Sequence, residues 1–335
     1  MTSRRARLRS LAKINLDLRV LQKHADGFHE LRTVFQTISL ADKIEIEYEP
    51  SRKTDVSIDD ALAIPDNLIL RAAWAVLDAA KIHARVRFRL VKKIPMGAGL
   101  GGGSSNAASV LLALPVLSGK PVGMEKLIEL GAQLGSDVPF FLTGGTALGL
   151  GRGTELYTLP DIAREPILLV APGVHVATGP AYQALGRSLT FTGLSSSINS
   201  FETYVRTLEQ TRSAGRASAL SANDFETVVT RQYPQLKTIQ GKLWGFGLRR
   251  QARMTGSGSA FFAIFESERE RQQARGLLGG ERVFEGRVLP AALVSRSSYE
   301  RMWRRQLAEH LVPNTFARNK KEEAWPPRSR YTKSQ

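Results

Sequence analysis

The sequence contains no cysteine among its 335 residues. This absence excludes disulfide bonds, iron–sulfur clusters and thiolate metal sites, and it fits a reducing compartment such as the cytoplasm. Histidine is scarce too. The five imidazoles never form the HExxH spacing of a zinc protease, and they are His24, His29, His83, His175 and His310. The chemistry of the chain is therefore expected from hydroxyl, carboxylate, amine and backbone groups.

Long apolar stretches are missing, since no run approaches the ~20 residues that a membrane-spanning helix needs. We therefore expect no membrane partner and a cytoplasmic location. Acidic residues are outnumbered, with 31 Asp and Glu against 47 Lys and Arg, which gives a net charge of +16. Such an excess can indicate an anionic partner, either a nucleic acid or an anionic small molecule, but a soluble surface with a basic tail is the simpler explanation. Residues 301–335 alone hold nine basic residues and three Glu.

The hydrophobic pattern predicts strands and helices that are interleaved without a regular βαβ order, which indicates an α+β fold. Alternating apolar residues predict a strand over residues 8–20 and a hairpin whose turn lies at Ala41 and Asp42. We expect an N-terminal lobe over 1–162, a C-terminal lobe over 163–297, and a basic, disordered tail over 298–335, where apolar periodicity fades.

The most unusual segment is PMGAGLGGGSS, residues 95–105, which leads from a predicted strand into an apolar helix. Backbone N–H groups at such a turn, together with the positive end of the helix, favour a phosphate. The lysine of a Walker loop is absent, because Gly103 is followed by Ser104 and Ser105. The spacing also matches a dinucleotide fingerprint, but the second strand and the acidic residue of that fold do not follow. A flexible linker is disfavoured by the flanking strand and helix.

Three ordered motifs resemble those of the galactokinase, homoserine kinase, mevalonate kinase and phosphomevalonate kinase (GHMP) superfamily. They are SLAKINLDLRV near the start, the glycine-rich loop, and MTGSGSAFFAIF near the end. One branch is particularly similar, the 4-diphosphocytidyl-2-C-methyl-D-erythritol kinases of the non-mevalonate (MEP) isoprenoid pathway. The similarity to this branch lies in AKINLDLRVLQKHADGFHEL, PDNLILRAA, GSDVPFFLTGG and PGVHVATGPAY.

The resemblance implies a two-lobed α+β fold with the active site in the cleft between the lobes. It also implies phosphorylation of the 2-hydroxyl of the cytidyl substrate by ATP with Mg²⁺. Asp137 would orient this hydroxyl or accept its proton, and Lys13 would pair with Asp137, so the missing lysine would come from the first strand. The residues alone favour a helix N-cap before Pro139 for Asp137 and a surface lysine on a strand for Lys13.

The resemblance also implies the binding residues. Phe28 and Tyr182 would sandwich cytosine, His29 would bond the edge of the base, and Asn15 would line the methylerythritol site; the family often has Tyr where this chain has Phe28. Core packing is the alternative for both aromatic side chains. The implied ATP site consists of Asn67 and Leu68 near adenine, Lys92 reaching it, and the loop residues Pro95, Met96, Gly97, Ala98, Gly99, Leu100, Gly101, Gly102, Gly103, Ser104 and Ser105.

Two other functions stay open at this point. A GHMP-type kinase of another small alcohol, such as homoserine or mevalonate, would share the three motifs but needs no cytosine pocket. A nucleic-acid-binding module would use the positive charge but would leave the glycine-rich loop and Asp137 without a role. We therefore expect small-molecule partners, ATP and a cytidine diphosphate sugar alcohol, without nucleic acid, in a monomer or weak homodimer.

Overall fold

The computed structural model describes residues 3–23, 29–185, 191–245, 252–280, 286–312 and 325–332. The strands in these ranges are β1 (Arg4–Lys23), β2 (His29–Pro50), β3 (Asp55–Asp60), β4 (Ala84–Val91), β5 (Thr146–Gly151), β6 (Glu155–Thr158), β7 (Pro166–Ala171), β8 (Arg253–Met254), β9 (Phe261–Ile264) and β10 (Arg287–Ala292). The α-helices are α1 (Leu68–Ala79), α2 (Gly102–Ser118), α3 (Met124–Leu134), α4 (Val138–Thr143), α5 (Thr178–Leu185), α6 (Phe191–Thr211), α7 (Ala214–Ala217), α8 (Phe225–Gln232), α9 (Pro234–Gly245), α10 (Glu268–Gly280) and α11 (Arg296–Gln306).

The first sheet is built around the long strand β2. On one side β2 pairs antiparallel with β1 along its length, and on the other it pairs with β4 and β5. The strand order is β3-β4-β2-β5-β6, with β1 attached to β2, and only β3 and β4 run parallel. Along β4, buried Val86 and Phe88 alternate with exposed Arg87 and Arg89. One face of the sheet therefore packs on the helices, and the other faces solvent.

The hairpin predicted at Ala41 and Asp42 is wrong, because β2 continues without a turn from His29 to Pro50. The Asp42 side chain is fully buried and accepts the backbone N–H groups of Lys93 at 2.7 Å and Ile94 at 2.9 Å. These long-range bonds satisfy the carboxylate that would otherwise favour a local turn. A residue with turn propensity therefore stays in an extended strand.

The second sheet has the order β10-β7-β9-β8, and all its pairs are antiparallel. In β7, Ile167 and Leu169 belong to one hydrophobic cluster, whereas Leu168 and Val170 belong to another. A strand buried on both faces is expected to be continuously apolar, as this one is. With both sheets carrying helices, the α+β prediction is confirmed. No helix in the described ranges is long and apolar enough to cross a bilayer.

One hydrophobic cluster joins the two sheets. It contains Ile14 and Val34 from the first sheet and Phe262 from the second, together with Ala98 and Leu100 of the glycine-rich loop. The loop therefore lies where the two sheets meet, which places its backbone against elements from both halves of the chain.

Part of the predicted disordered tail is packed. The helix α11 brings Tyr299 and Trp303 into the first core, where each is at most 2% exposed. Further on, Trp325 packs against the same core and the Ser329 hydroxyl donates to the carbonyl of Val116 at 2.6 Å. The prediction is therefore wrong for residues 298–312 and 325–332, since their few aromatic side chains bury despite a polar composition. Residues 313–324 and 333–335 lie outside the described residues.

Deleting residues 313–335 is expected to lower the melting temperature by several degrees. The deletion removes the Trp325 packing and the Ser329 hydrogen bond, a loss of about 2–4 kcal/mol of unfolding free energy for a partly buried aromatic anchor. Differential scanning fluorimetry against the full chain measures the effect. Deleting residues 333–335 alone is the control, and an unchanged melting temperature of the longer deletion would contradict a packed C-terminus.

Candidate active site

Three residues of the glycine-rich loop have backbone angles that only glycine adopts readily. Gly97, Gly99 and Gly101 have φ angles of 64°, 75° and 67°, in the left-handed region. A Cβ on Gly99 would overlap the carbonyl oxygen of Thr255, so two backbone segments meet there. The helix α2 starts after Gly101, and no side chain caps its N-terminus. The N–H groups of this first turn are therefore free of a capping side chain and suited to an anion.

The three sequence motifs meet at this loop. The turn that contains Thr255 lies between β8 and β9 and is attached to the loop by the bond from Ala260 N–H to Ala98 O at 3.3 Å. The first motif joins it through β1, where the backbone N–H of Asn15 donates to the Thr255 hydroxyl at 3.0 Å. The fold thus brings the first, second and third motifs together, although they are far apart along the chain.

Lys13 and Asp137 form an ion pair beside the loop. The Lys13 ammonium lies 3.3 Å from Asp137 Oδ2 and donates to Asn15 Oδ1 at 2.7 Å. Its side chain is 4% exposed, whereas the Asp137 side chain is 32% exposed. The backbone N–H of Lys13 also donates to Leu100 O at 3.1 Å, which fixes β1 against the loop. A buried ammonium therefore faces a carboxylate that solvent and substrates can reach.

The alternative roles of these two residues do not fit the geometry. Asp137 occupies the N-cap position of α4, but its side chain makes no capping hydrogen bond. Lys13 is buried rather than on the surface. The carboxylate is aimed at the ammonium instead of at the helix, which leaves one face of Asp137 for chemistry.

Asn15 fixes the Lys13 ammonium by accepting a hydrogen bond from it. It is 4% exposed, and its amide donates to the Thr33 hydroxyl at 2.7 Å while its carbonyl oxygen accepts from Lys13. Thr33 in turn donates to the carbonyl of Asp17 at 2.7 Å. Asn15 thus connects the ion pair to Thr33 and Thr255, and its predicted role in the methylerythritol site stays a prediction.

The residues predicted for cytosine are only partly brought together. The rings of His29 and Tyr182 stack with centroids 5.0 Å apart, and Phe225 meets Tyr182 edge-on at 4.8 Å. Burial and the nearby charge of Asp137 raise the pKa of Tyr182 to about 12, so its phenol stays protonated at neutral pH. We refer to His29, Tyr182 and Phe225 as the aromatic cluster. Phe28 lies outside the described residues, and the base sandwich stays a prediction.

Two of the three residues predicted for adenine, Leu68 and Lys92, lie at the start of α2. Leu68 lies close to Gly103, since a Cβ on that glycine would be 3.6 Å from Leu68 Cδ1. Lys92 also points to this turn, but its ammonium is paired with buried Asp42. Asn67 caps α1 by accepting from the N–H of Ile69 at 3.0 Å. The side chains of Lys92 and Asn67 are thus already engaged within the fold.

Two residues at the site were not singled out from the sequence. His175 touches the loop, because a Cβ on Gly97 would overlap its Nδ1 atom. Thr255 joins the loop to β1 through its hydroxyl, which accepts from the Asn15 N–H and donates to the carbonyl of Gly99 at 3.3 Å. Both residues lie in motifs that carry the family resemblance, His175 in PGVHVATGPAY and Thr255 in MTGSGSAFFAIF. Their place in these motifs is the sequence signal that could have identified them.

Comparisons with known proteins identify the family of the chain. Residues 67–145 match the GHMP kinases N terminal domain and residues 205–277 the GHMP kinases C terminal domain. The 4-diphosphocytidyl-2-C-methyl-D-erythritol kinase of Solibacter usitatus (strain Ellin6076) is 49% identical over 98% of this chain and 99% of its own length. The kinase of the same name from Syntrophus aciditrophicus (strain SB) is 37% identical over 81% and 93% of the two chains.

A solved structure leads to the same family. The crystal structure of a 4-(cytidine 5'-diphospho)-2C-methyl-D-erythritol kinase superposes with a TM-score of 0.69 at 35% identity, covering 86% of this chain and 98% of that one. Fold and sequence thus agree over most of the chain, which confirms the resemblance that the motifs indicated. The chain belongs to the GHMP kinases, in the family of the 4-diphosphocytidyl-2-C-methyl-D-erythritol kinases.

Proposed function

We propose that this kinase transfers the γ-phosphoryl group of ATP to the 2-hydroxyl of 4-diphosphocytidyl-2-C-methyl-D-erythritol, in the MEP route to isoprenoid precursors. The observation that carries the proposal is the Lys13–Asp137 pair, fixed beside a glycine-rich loop whose helix N-terminus has no capping side chain. The high identity to a kinase of this name over nearly the whole chain supports the choice of substrate.

The ion pair supplies what an alcohol needs to attack a phosphoryl group. Asp137 orients the hydroxyl and accepts its proton as the new bond to phosphorus forms. Lys13 stands 3.3 Å behind the carboxylate and balances the negative charge that builds up on the reacting oxygens. The bond from Lys13 N–H to Leu100 O fixes the distance between this pair and the loop. Positioning of this kind is the main source of catalysis in phosphoryl transfer.

The loop binds the phosphates of ATP through backbone N–H groups. Mg²⁺ typically binds one or two carboxylates, waters and substrate phosphates rather than a dedicated protein cage. Within the described residues no three His, Asp or Glu side chains cluster as a metal site. This arrangement fits a Mg²⁺ ion that is held mainly by the nucleotide phosphates, whose charge it would neutralise. Near the adenine, Leu68 offers an apolar contact, and Lys92 and Asn67 shape the rim.

The aromatic cluster beside Asp137 is the proposed cytidine end of the site. Tyr182 and Phe28 offer ring faces for the base, His29 offers a ring nitrogen for its edge, and Asn15 lies toward the sugar alcohol behind Lys13. We expect the diphosphate link to reach from this cluster to the ion pair, so that the 2-hydroxyl meets the Asp137 carboxylate.

Replacing Tyr182 with Ala is expected to raise KM for the cytidyl substrate about 5- to 150-fold, the equivalent of ~1–3 kcal/mol of lost base stacking. The KM for ATP should stay the same, since the phosphate loop is not touched. Tyr182→Phe keeps the ring and serves as the matched control. Initial rates of ADP release at varied concentrations of each substrate measure both constants, and equal rises in the two KM values would contradict a role in cytidine binding.

The function itself is tested by ADP release with three acceptors, the cytidyl substrate, homoserine and mevalonate. We expect turnover with the first and background rates with the others, because only the first has a base for the aromatic cluster. Faster turnover of homoserine or mevalonate would assign the chain to another GHMP activity and would refute the proposed substrate.

A further inference from the structure

The C-terminal end of α4 is capped by side chains from the last forty residues of the chain. The Tyr299 hydroxyl donates to the carbonyl of Phe141 at 2.5 Å, and the Trp325 indole N–H donates to that of Leu142 at 2.9 Å. The last carbonyls of a helix have no partner within the helix, so each of these bonds fills an otherwise open acceptor. A six-residue helix is therefore closed by groups more than 150 residues away.

A third side chain fixes the chain just beyond α4. The Arg296 guanidinium donates to the carbonyls of Gly144 at 3.1 Å and Thr146 at 2.7 Å. The fit is tight, because a Cβ on Gly144 would lie 2.6 Å from the Tyr299 ring. We name Arg296, Tyr299 and Trp325 the C-terminal clamp.

The helix that the clamp holds carries Asp137 at its other end. The Asp137 side chain does not cap α4, so no local bond of its own to the helix fixes its direction. The position of Asp137 therefore depends on where α4 lies. The buried side chains Phe140 and Phe141 pack the helix into the core. Catalysis by a positioned group is sensitive to shifts of about 1 Å, which can cost on the order of 10²-fold in rate.

We propose that the C-terminal clamp positions Asp137 against Lys13 and the substrate hydroxyl by fixing the end of α4. The proposal rests on the proposed function, since it assigns a positioning role for the same reaction. The described hydrogen bonds of the clamp to α4 and to the residues just beyond it do not include the loop or the ion pair. Their effect should therefore appear in kcat and leave the KM for ATP unchanged.

Three variants test the proposal in the full-length enzyme. Tyr299→Phe and Trp325→Phe each remove one donor and keep an aromatic ring, and the third variant combines them. Ser329→Ala is the matched control, because it removes a donor from the same C-terminal segment that bonds to Val116 O in α2 and not to α4. We expect the double variant to lose roughly 3- to 30-fold in kcat at unchanged KM for ATP, below the full cost of a 1 Å displacement, and the control to keep its kcat.

Amide hydrogen exchange provides a reading that does not depend on activity. Residues 138–143 should exchange faster in the clamp variants and not in the control, since local opening follows the loss of the bonds that hold a segment. Unchanged exchange in α4 would overturn the proposal even if kcat fell, and so would a kcat equal to that of the wild type.

The Asp137→Asn background separates positioning from general destabilisation. If the clamp acts through Asp137, the same substitutions should cause little further loss in that background, because residues that act as a unit are not additive. An equal fold-loss in both backgrounds would overturn the proposal. Should Asp137→Asn itself keep full activity, this carboxylate is removed from the mechanism and the clamp proposal fails with it. The proposed function fails only if the wild type does not turn over the cytidyl substrate, so the two failures are distinguishable.

Discussion

Replacing Asp137 with Asn is expected to lower kcat on the order of 10²- to 10⁴-fold, the range for losing a positioned acid–base group. The amide keeps the shape of the side chain but cannot accept the proton of the substrate hydroxyl. Lys13 stays in place, since it still donates to Asn15 and its backbone remains bonded to Leu100. The KM for ATP should change little, because the phosphate loop is intact.

The measurement is the rate of ADP release at saturating ATP and cytidyl substrate. Asp66→Asn is the matched control, since Asp66 also pairs with a basic residue, Arg71, but its side chain is 75% exposed and on the surface. Asp66 has a φ of 47°, which asparagine tolerates well, so the control should fold. A kcat of Asp137→Asn within twofold of the wild type would remove this carboxylate from the mechanism.

The sequence predicts the parts of this site that depend on contacts between neighbouring residues, but not those that depend on residues far apart in the chain. The helix after the glycine-rich loop and the strand before it follow from local periodicity. The pairing of Lys13 with Asp137 does not, because 124 positions separate them. It was predicted only because both residues lie in motifs that resemble a family with a known arrangement. Local pattern alone favoured an N-cap for Asp137. The residue does occupy that position of α4, but its side chain makes no capping hydrogen bond.

The wrong predictions have the same physical origin. Asp42 has turn propensity, yet the backbone N–H groups after β4 satisfy its carboxylate inside a continuous strand. The C-terminal residues have the composition of a polar tail, yet the Trp325 indole donates a hydrogen bond to the carbonyl of Leu142, 183 positions away in the sequence. In both cases a hydrogen-bond partner far away in the sequence determines the local structure. The local composition does not reveal that partner.

Replacing Lys13 with Met is expected to lower kcat by a similar factor, on the order of 10²- to 10⁴-fold, because the reaction loses the cation that balances its charge. Methionine has nearly the length of lysine and can keep the packing near the Phe35 ring, which lies 5.5 Å from the ammonium. The fold should therefore survive, and the Asp137 carboxylate, 32% exposed, can be hydrated without its partner. Lys126→Met, at an exposed lysine paired with Glu129, is the matched control.

The double variant of Lys13→Met and Asp137→Asn decides whether the two residues work as one unit. We expect its kcat to be within a few-fold of either single variant, since each substitution already disables the pair. The arrangement supports this expectation, because the ammonium is buried and its described polar partners are the Asp137 carboxylate and Asn15. If the two losses multiplied instead, Lys13 would act on the phosphates independently of Asp137. Rates of ADP release for the wild type, the two single variants and the double variant distinguish these outcomes.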